Sequence, residues 1–188
     1  MRIRYPVGMT TREFSDMPWI GHEHPVLDLT NTVVVGSGLG RGDIDFFADP
    51  GLTAAWRAKA ADRALAQSRI VELRSLRTLV RAAVDARAEG RPLPEPVREG
   101  LNGLAARAPV VLQLEADGEL RHEESGGDAC AAVARQALTL LSEEGSDRLR
   151  RCDAPSCGMY FLRTRKDQAW CTVGCGNRAR ATRRRRPG

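Results

Sequence analysis

Hydrophobic positions divide the chain into short β-patterned runs, longer helical ones and a final segment that follows neither period. The first apolar run, VLDLTNTVVV over 26–35, is β-branched and partly alternating, which predicts a strand. A glycine-rich loop, GSGLGRGD, follows it. Three helical patterns come next: LTAAWRAKAA, ALAQSRIVELRSLRTLVRAAVDARAEG and PEPVREGLNGLAARA. The second is the longest and places Ile70, Leu73, Leu76, Leu79, Val80 and Val84 at three-four spacing. The third opens on prolines, which the first helical turn tolerates. PVVLQLEADGELRHEES predicts a β-hairpin turning at Asp117-Gly118. DACAAVARQALTLLSEEG predicts an apolar helix that stops at Gly145. Together these give an α+β class: a mostly helical body with short strands and a hairpin over residues 1–147, then a small module over 148–188.

Composition changes that picture chiefly at the C-terminus. The 188 residues are 42% hydrophobic and 28% charged, an ordinary globular balance. Their net charge of +5 conceals an asymmetry. Residues 148–188 hold 12 basic and 2 acidic side chains, a net +10, against 17 and 22, a net −5, over 1–147. An acidic body joined to a basic module is expected to direct that module alone to an anionic polymer. The start, MRIRYPVGMT, lacks the apolar core of a signal peptide. No later window approaches the roughly 18 apolar residues of a membrane span. The expected location is the cytoplasm, with no membrane partner; there, cysteines point to metal or redox chemistry before disulfides.

Four of the five cysteines fall in the basic module. Four residues separate Cys152 from Cys157, three separate Cys171 from Cys175, and 13 lie between the pairs. A short turn through Pro155 and Gly158 can bring the first two sulfurs to one ion. Cys171 and Cys175 can share the face of a first helical turn, where the helix N-terminus favours thiolate. MYFLRT and QAW, around a turn at Lys166-Asp167, read as two short strands between the pairs. Knuckle, hairpin and helix make the layout of a treble-clef zinc finger, with one structural Zn²⁺ held by Cys152, Cys157, Cys171 and Cys175. An iron–sulfur cluster also accepts four thiolates, and unrelated buried thiols are the plain alternative. A segment this small with few large apolar groups needs a staple, which favours the metal. Four protein ligands leave no open position for water, so this zinc is expected to be structural and the chain not an enzyme. Cys130, in an apolar helix, reads as a core residue.

Beyond the cysteines lie Arg178, Arg180, Arg183, Arg184, Arg185 and Arg186, with Arg163, Arg165 and Lys166 on the expected hairpin. Arginine bonds two phosphate oxygens, or the major-groove edge of guanine, with one fork. These residues, with Asn177, are the candidate nucleic-acid contacts; double-stranded DNA is the expected partner, and RNA stays open. For Arg183 to Arg186 the alternative is a solvated tail, and phosphate contact is expected there rather than base reading.

Cys175-Gly176-Asn177-Arg178, preceded by Cys152, Cys157, Phe161 and Trp170-Cys171, resembles the CGNR zinc-finger family. Gly21-His22, the run LDLTNT over 27–32, Asp49-Pro50 and Trp56 resemble the ABATE domain, the other half of that family's proteins. The resemblance implies a bacterial, stress-linked transcription regulator whose treble clef binds DNA. It assigns zinc to the same four cysteines, with Asn177 and Arg178 as the signature beside them. The chain departs from the pattern in a short hairpin turn, FLRTRKDQAW, and in Arg163 at a position expected to be acidic.

Two weaker patterns lie in the body. Gly36, Gly38, Gly40 and Gly42 fit no nucleotide-binding register and read as a flexible loop. His22, His24, Asp28 and Asn31 sit close enough in sequence to line a pocket for a small-molecule effector. The simpler reading is that Asp28 and Asn31 satisfy backbone groups at an element's end. Other readings of the whole chain are a zinc-stabilised protein-interaction adaptor, an enzymatic body with an appended finger, and a homodimer.

Overall fold

The computed structural model describes residues 24–34, 43–155 and 157–184. His22, Arg185, Arg186 and the glycine run 36–42 lie outside the described residues. The elements form two compact units: residues 67–147, and the described parts of 1–66 together with 148–184.

In the split unit, helix α1 (Pro25–Thr30) leads into strand β1 (Val33–Val34), which pairs antiparallel with β2 (Ile44–Asp45). A 3₁₀ turn over Phe46–Ala48 precedes α2 (Pro50–Lys59) and α3 (Arg63–Gln67). The expected strand at 26–35 is therefore helix over 26–30 and strand only at Val33–Val34, with Val35 outside the described residues. Pro25 fits the first helical turn, and the amides of Leu27 and Asp28 both bond back to the His24 carbonyl, at 2.9 and 3.0 Å. Residues Val26 to Thr30 are all buried, so the polar positions that looked like the outer face of a strand turn inward too. Thr30 and Thr32 dispose of their hydroxyls by bonding to the carbonyls of Val26 and Leu29, each at 2.7 Å. A short apolar run carries no period that separates buried strand from buried helix, and here local bonding decides.

Asp49 caps α2 by accepting from the Leu52 amide at 2.9 Å. This helix presents Trp56, fully buried, edge-on to Phe47 with ring centroids 5.1 Å apart. The indole N–H donates to the Asp28 carbonyl at 3.3 Å. Val26, Leu29, Phe46, Leu65 and Trp56 form the core of this part.

The C-terminal segment adds β5 (Leu149–Arg151), paired antiparallel with β6 (Tyr160–Leu162), and a basic helix, α8 (Val173–Arg184). The expected pairing of MYFLRT with QAW does not form; β6 pairs instead with the strand that precedes the first cysteines. The Cys152 amide donates to Met159 at 2.8 Å and the Gly158 amide to Cys152 at 3.0 Å, closing the loop between β5 and β6 into a knuckle. Gly158 holds φ +75°, a backbone that side chains other than glycine's rarely adopt.

In residues 67–147 the long helical pattern becomes α4 (Ile70–Ala88), separated from α3 by Ser68-Arg69. Glu72 starts α4 by accepting from the Arg69 backbone N–H at 3.2 Å and pairing with its guanidinium at 2.5 Å. Leu73, Leu76, Val80 and Val84 are buried as their spacing demands. They pack with α5 (Glu95–Ala105) and α6 (Ala129–Leu141). Alanines 131, 134 and 137, all at 0% exposure, allow α6 a close approach to its neighbours. Asp128 caps α6, its carboxylate accepting from the Ala131 amide at 2.9 Å. The helix ends at Leu141 rather than 145, and Glu143–Ser146 forms a separate turn, α7. The hairpin forms where expected, from β3 (Val110–Leu114) and β4 (Leu120–Glu124). Cys130 is buried in α6, and burial pushes its thiol up. No described helix is long and apolar enough to cross a membrane.

Candidate metal centre and basic helix

Cys152 and Cys157 reach the centre from the two sides of the knuckle. Cys171 precedes α8, and Cys175 lies in its first turn. Thr172 starts that helix: its hydroxyl accepts from the Cys175 amide at 3.2 Å and its carbonyl from the Gly176 amide at 3.3 Å. The four sulfurs all lie within 4.8 Å of one another. Cys157 and Cys171 are 3.6 Å apart, Cys171 and Cys175 3.4 Å, and Cys175 and Cys157 3.6 Å. Zn–S bonds of about 2.3 Å in a tetrahedron set sulfurs about 3.8 Å apart, so the cluster fits one zinc ion. Three of the ligands are buried and Cys171 is half-buried, as suits a structural site.

Protonation gives the same answer. Hydrogen bonding from Cys157 and then Cys171 draws the Cys152 thiol down, while Cys152 pushes Cys157 up, and Cys152 and Cys157 push Cys171 up. Sulfurs this close cannot all ionise on their own account; a divalent cation at their centre lets each act as a thiolate. The donor set is soft and closed, so the chain carries one structural Zn²⁺.

A tetrathiolate zinc centre carries a net charge of −2, and two features here oppose it. The N-terminal turn of α8 carries the positive end of the helix dipole. Arg178 donates from Nη2 to the Cys175 sulfur at 3.2 Å. Such outer bonds tune metal retention by roughly 10- to 100-fold. Arg178→Ala is therefore expected to release zinc to a colorimetric chelator at least about tenfold faster, with Arg178→Lys intermediate because it lacks the planar fork. An unchanged release rate in the alanine variant would contradict this role.

Gly176 sits where a side chain would collide with the indole of Trp170: a Cβ there would lie 2.9 Å from Trp170 Cδ1. The same face of α8 carries Arg180 and Arg183. Arg183 lies over the Trp170 ring with its guanidinium carbon 5.9 Å from the centroid. Arg180 donates to Asn177 Oδ1 at 2.6 Å. Cys175, Gly176 and Ala179 form the buried face of the helix, while Asn177, Arg178, Arg180, Arg183 and Arg184 are exposed.

On the loop before Cys171, Arg163 donates to the Lys166 carbonyl at 3.1 Å, Arg165 lies 3.8 Å from the Asp167 carboxylate, and Lys166 is exposed. Arg148, just before β5, and Arg150 and Arg151 within it belong to the same basic segment, and only the charge asymmetry of the sequence hints at them. Arg148 is ordered by the Arg163 carbonyl at 2.7 Å, and Arg151 faces the Tyr160 ring at 6.0 Å.

Asp28 and Asn31 are both buried and both serve backbone. Asp28 accepts from the Ala61 amide at 2.9 Å. Asn31 donates from Nδ2 to the Tyr160 carbonyl and accepts at Oδ1 from the Tyr160 amide, each at 2.9 Å. Its amide thus pairs with β6 as a neighbouring strand would. This clamp ties α1 to the strand that leaves the knuckle, and no local pattern in the sequence announces it.

Among curated proteins, none matches the chain. A family model for the CGNR zinc finger matches residues 148–186, the segment that holds all four metal ligands and α8. A second, for ABATE, described as "Putative stress-induced transcription regulator", matches residues 23–144. The chain belongs to the ABATE family and ends in a CGNR zinc finger.

Proposed function

We propose that the chain is a transcription regulator that binds double-stranded DNA through its zinc finger and contributes no catalysis of its own. The observation that carries this reading is the exposed arginine row of α8, which grows directly out of a metal ligand. Over 148–184 ten basic side chains face two acidic ones, Asp153 and Asp167. Arg148, Arg183 and Arg178 are ordered by a carbonyl, a ring and the Cys175 sulfur respectively, contacts that leave their positive charge for an external anion. An arginine helix held at its first turn by zinc offers guanidinium groups at fixed spacing. This suits phosphates along a groove and cuts the ordering cost of binding. The family description as a regulator supports the same reading, and four thiolate ligands leave the metal no position for an attacking water.

The test is a fluorescence-anisotropy titration of duplex DNA with the full chain and with Arg180→Ala/Arg183→Ala/Arg184→Ala. Every phosphate that a variant fails to neutralise reduces the slope of log K against log salt by roughly 0.9. The triple variant is therefore expected to bind about 100-fold more weakly at low salt and with a visibly shallower slope. Equal affinity and slope in the two proteins would overturn the reading. Retention of a protein from extract at high salt, with no measurable DNA binding, would replace it with an adaptor role.

A further inference from the structure

Six large hydrophobic side chains stand exposed among the described residues, and four of them, Val111, Leu112, Leu114 and Leu120, lie on one hairpin. Leu112 is 58% exposed and Leu114 75%. Among the described residues, strands β3 and β4 pair only with each other. A two-stranded ribbon is marginal by itself, and an apolar patch of this kind marks an interaction surface.

The ladder shows which backbone groups are available. The Glu115 amide bonds to the Glu119 carbonyl at 2.8 Å and the Ser125 amide to the Pro109 carbonyl at 3.0 Å. Hydrogen-bonded and non-hydrogen-bonded pairs alternate in an antiparallel ladder. Val111↔Glu123 and Gln113↔Arg121 are thus the bonded pairs within the hairpin. Val110, Leu112 and Leu114 consequently turn their N–H and C=O groups away from β4.

The two edges differ in chemistry. The β4 sequence, LRHEE, carries Arg121, Glu123 and Glu124, the charges that keep an edge strand from pairing with another chain. The β3 sequence, VVLQL, carries no charge and no proline. The β3 edge is also complementary to itself. Laid antiparallel about Leu112, two copies place Leu112 opposite Leu112 and Val110 opposite Leu114, and these are the residues with outward backbone groups. Each pair exchanges both of its hydrogen bonds, and no charge opposes another. On the other face Val111 meets Gln113. The same construction on β4 sets Leu120 against Glu124, and its Arg121 is already engaged by Glu115 at 2.8 Å.

We propose that β3 is a dimerisation edge, at which two copies of this chain join their hairpins into one four-stranded antiparallel sheet about a twofold axis at Leu112. The occupant is a second copy because the strand matches itself in register, in hydrogen-bonding phase and in side-chain character together. The inference is independent of nucleic-acid binding.

Sedimentation velocity of the full zinc-loaded chain across micromolar concentrations tests it. The wild type is expected at twice the chain mass. Leu112→Lys, which sets two like charges directly opposite, is expected to weaken dimerisation at least about tenfold. Leu114→Lys, at a more exposed position, should do the same, and either variant suffices if the other misfolds. Glu123→Lys on β4 should leave the mass unchanged. In the wild type, the amides of Val110, Leu112 and Leu114 should exchange slowly with solvent, and this protection should vanish in the lysine variants. A wild type that stays monomeric throughout overturns the proposal, as does a dimer indifferent to both lysines. A dimer broken by Glu123→Lys alone would move the interface to β4 and overturn it equally.

Discussion

Stripping zinc with a strong chelator is expected to unfold more than the finger. Metal binding contributes about 10–16 kcal/mol to small zinc modules, as large as the whole stability of a typical domain. The module over 148–184 has few large apolar groups, so without the metal its knuckle and the start of α8 lose what holds them. Residues 24–66 share a compact unit with this module. Asn31 ends on Tyr160, and α1 packs beside β6. Amide exchange in α1 and around Trp56 is therefore expected to rise together with exchange in α8 on chelation, whereas α4, α5 and α6 keep their protection. Cys175→Ser should reproduce the pattern. Protection of α1 unchanged in a zinc-free chain would show that the N-terminal segment folds without the finger.

Asn31→Ala is the second large effect. The substitution removes both bonds that Asn31 makes to the buried Tyr160 N–H and C=O, and each loss costs about 1–3 kcal/mol, for a total on the order of 3 kcal/mol. Asn31→Asp is expected to be nearly as damaging. It keeps an acceptor for the Tyr160 amide but turns a second acceptor toward the Tyr160 carbonyl. Asn31→Gln retains both groups on a longer stem that misplaces them. Denaturant unfolding followed by far-ultraviolet circular dichroism measures the loss. Faster zinc release from Asn31→Ala would show that the clamp also supports the metal site. A midpoint within error of wild type in the alanine variant would mean that the pairing contributes nothing.

These two effects mark the limit of what the amino-acid order discloses. Signals contained in a few neighbouring residues carry through to the structure. Asp117-Gly118 forms its hairpin turn, the spacing of Leu73, Leu76, Val80 and Val84 gives the buried face of α4, and the four cysteines converge. The segment 26–35 misleads because a six-residue buried helix has no exposed face to generate a period. The partner of β6 escapes the sequence because β5 is three residues long, and its two arginines look like part of a charge run rather than a strand. Asn31 reads as one more polar residue at an element's end, and its partner lies 129 positions away. Asp28 and Asn31 do satisfy backbone groups, as their residue types suggest, but nothing near them in the chain names those groups. Gly176 follows the same rule: the signature places it, and only the Trp170 ring against it supplies the reason. Arg178 is the sharpest case, since the exposed arginine expected to meet phosphate also donates to a metal-ligand sulfur.

The claim that a zinc ion turns this arginine-rich segment into an ordered DNA-binding surface is tested most directly by titrating one duplex, over a range of salt concentrations, with the zinc-loaded chain and with the same chain after chelation. The loaded chain is expected to bind tightly, with an affinity that falls steeply with salt. Once the metal is removed, binding is expected to be at least about tenfold weaker with a shallower slope. Identical curves for the two would show that the arginines act as an unstructured polycation and that the metal centre plays no part in binding.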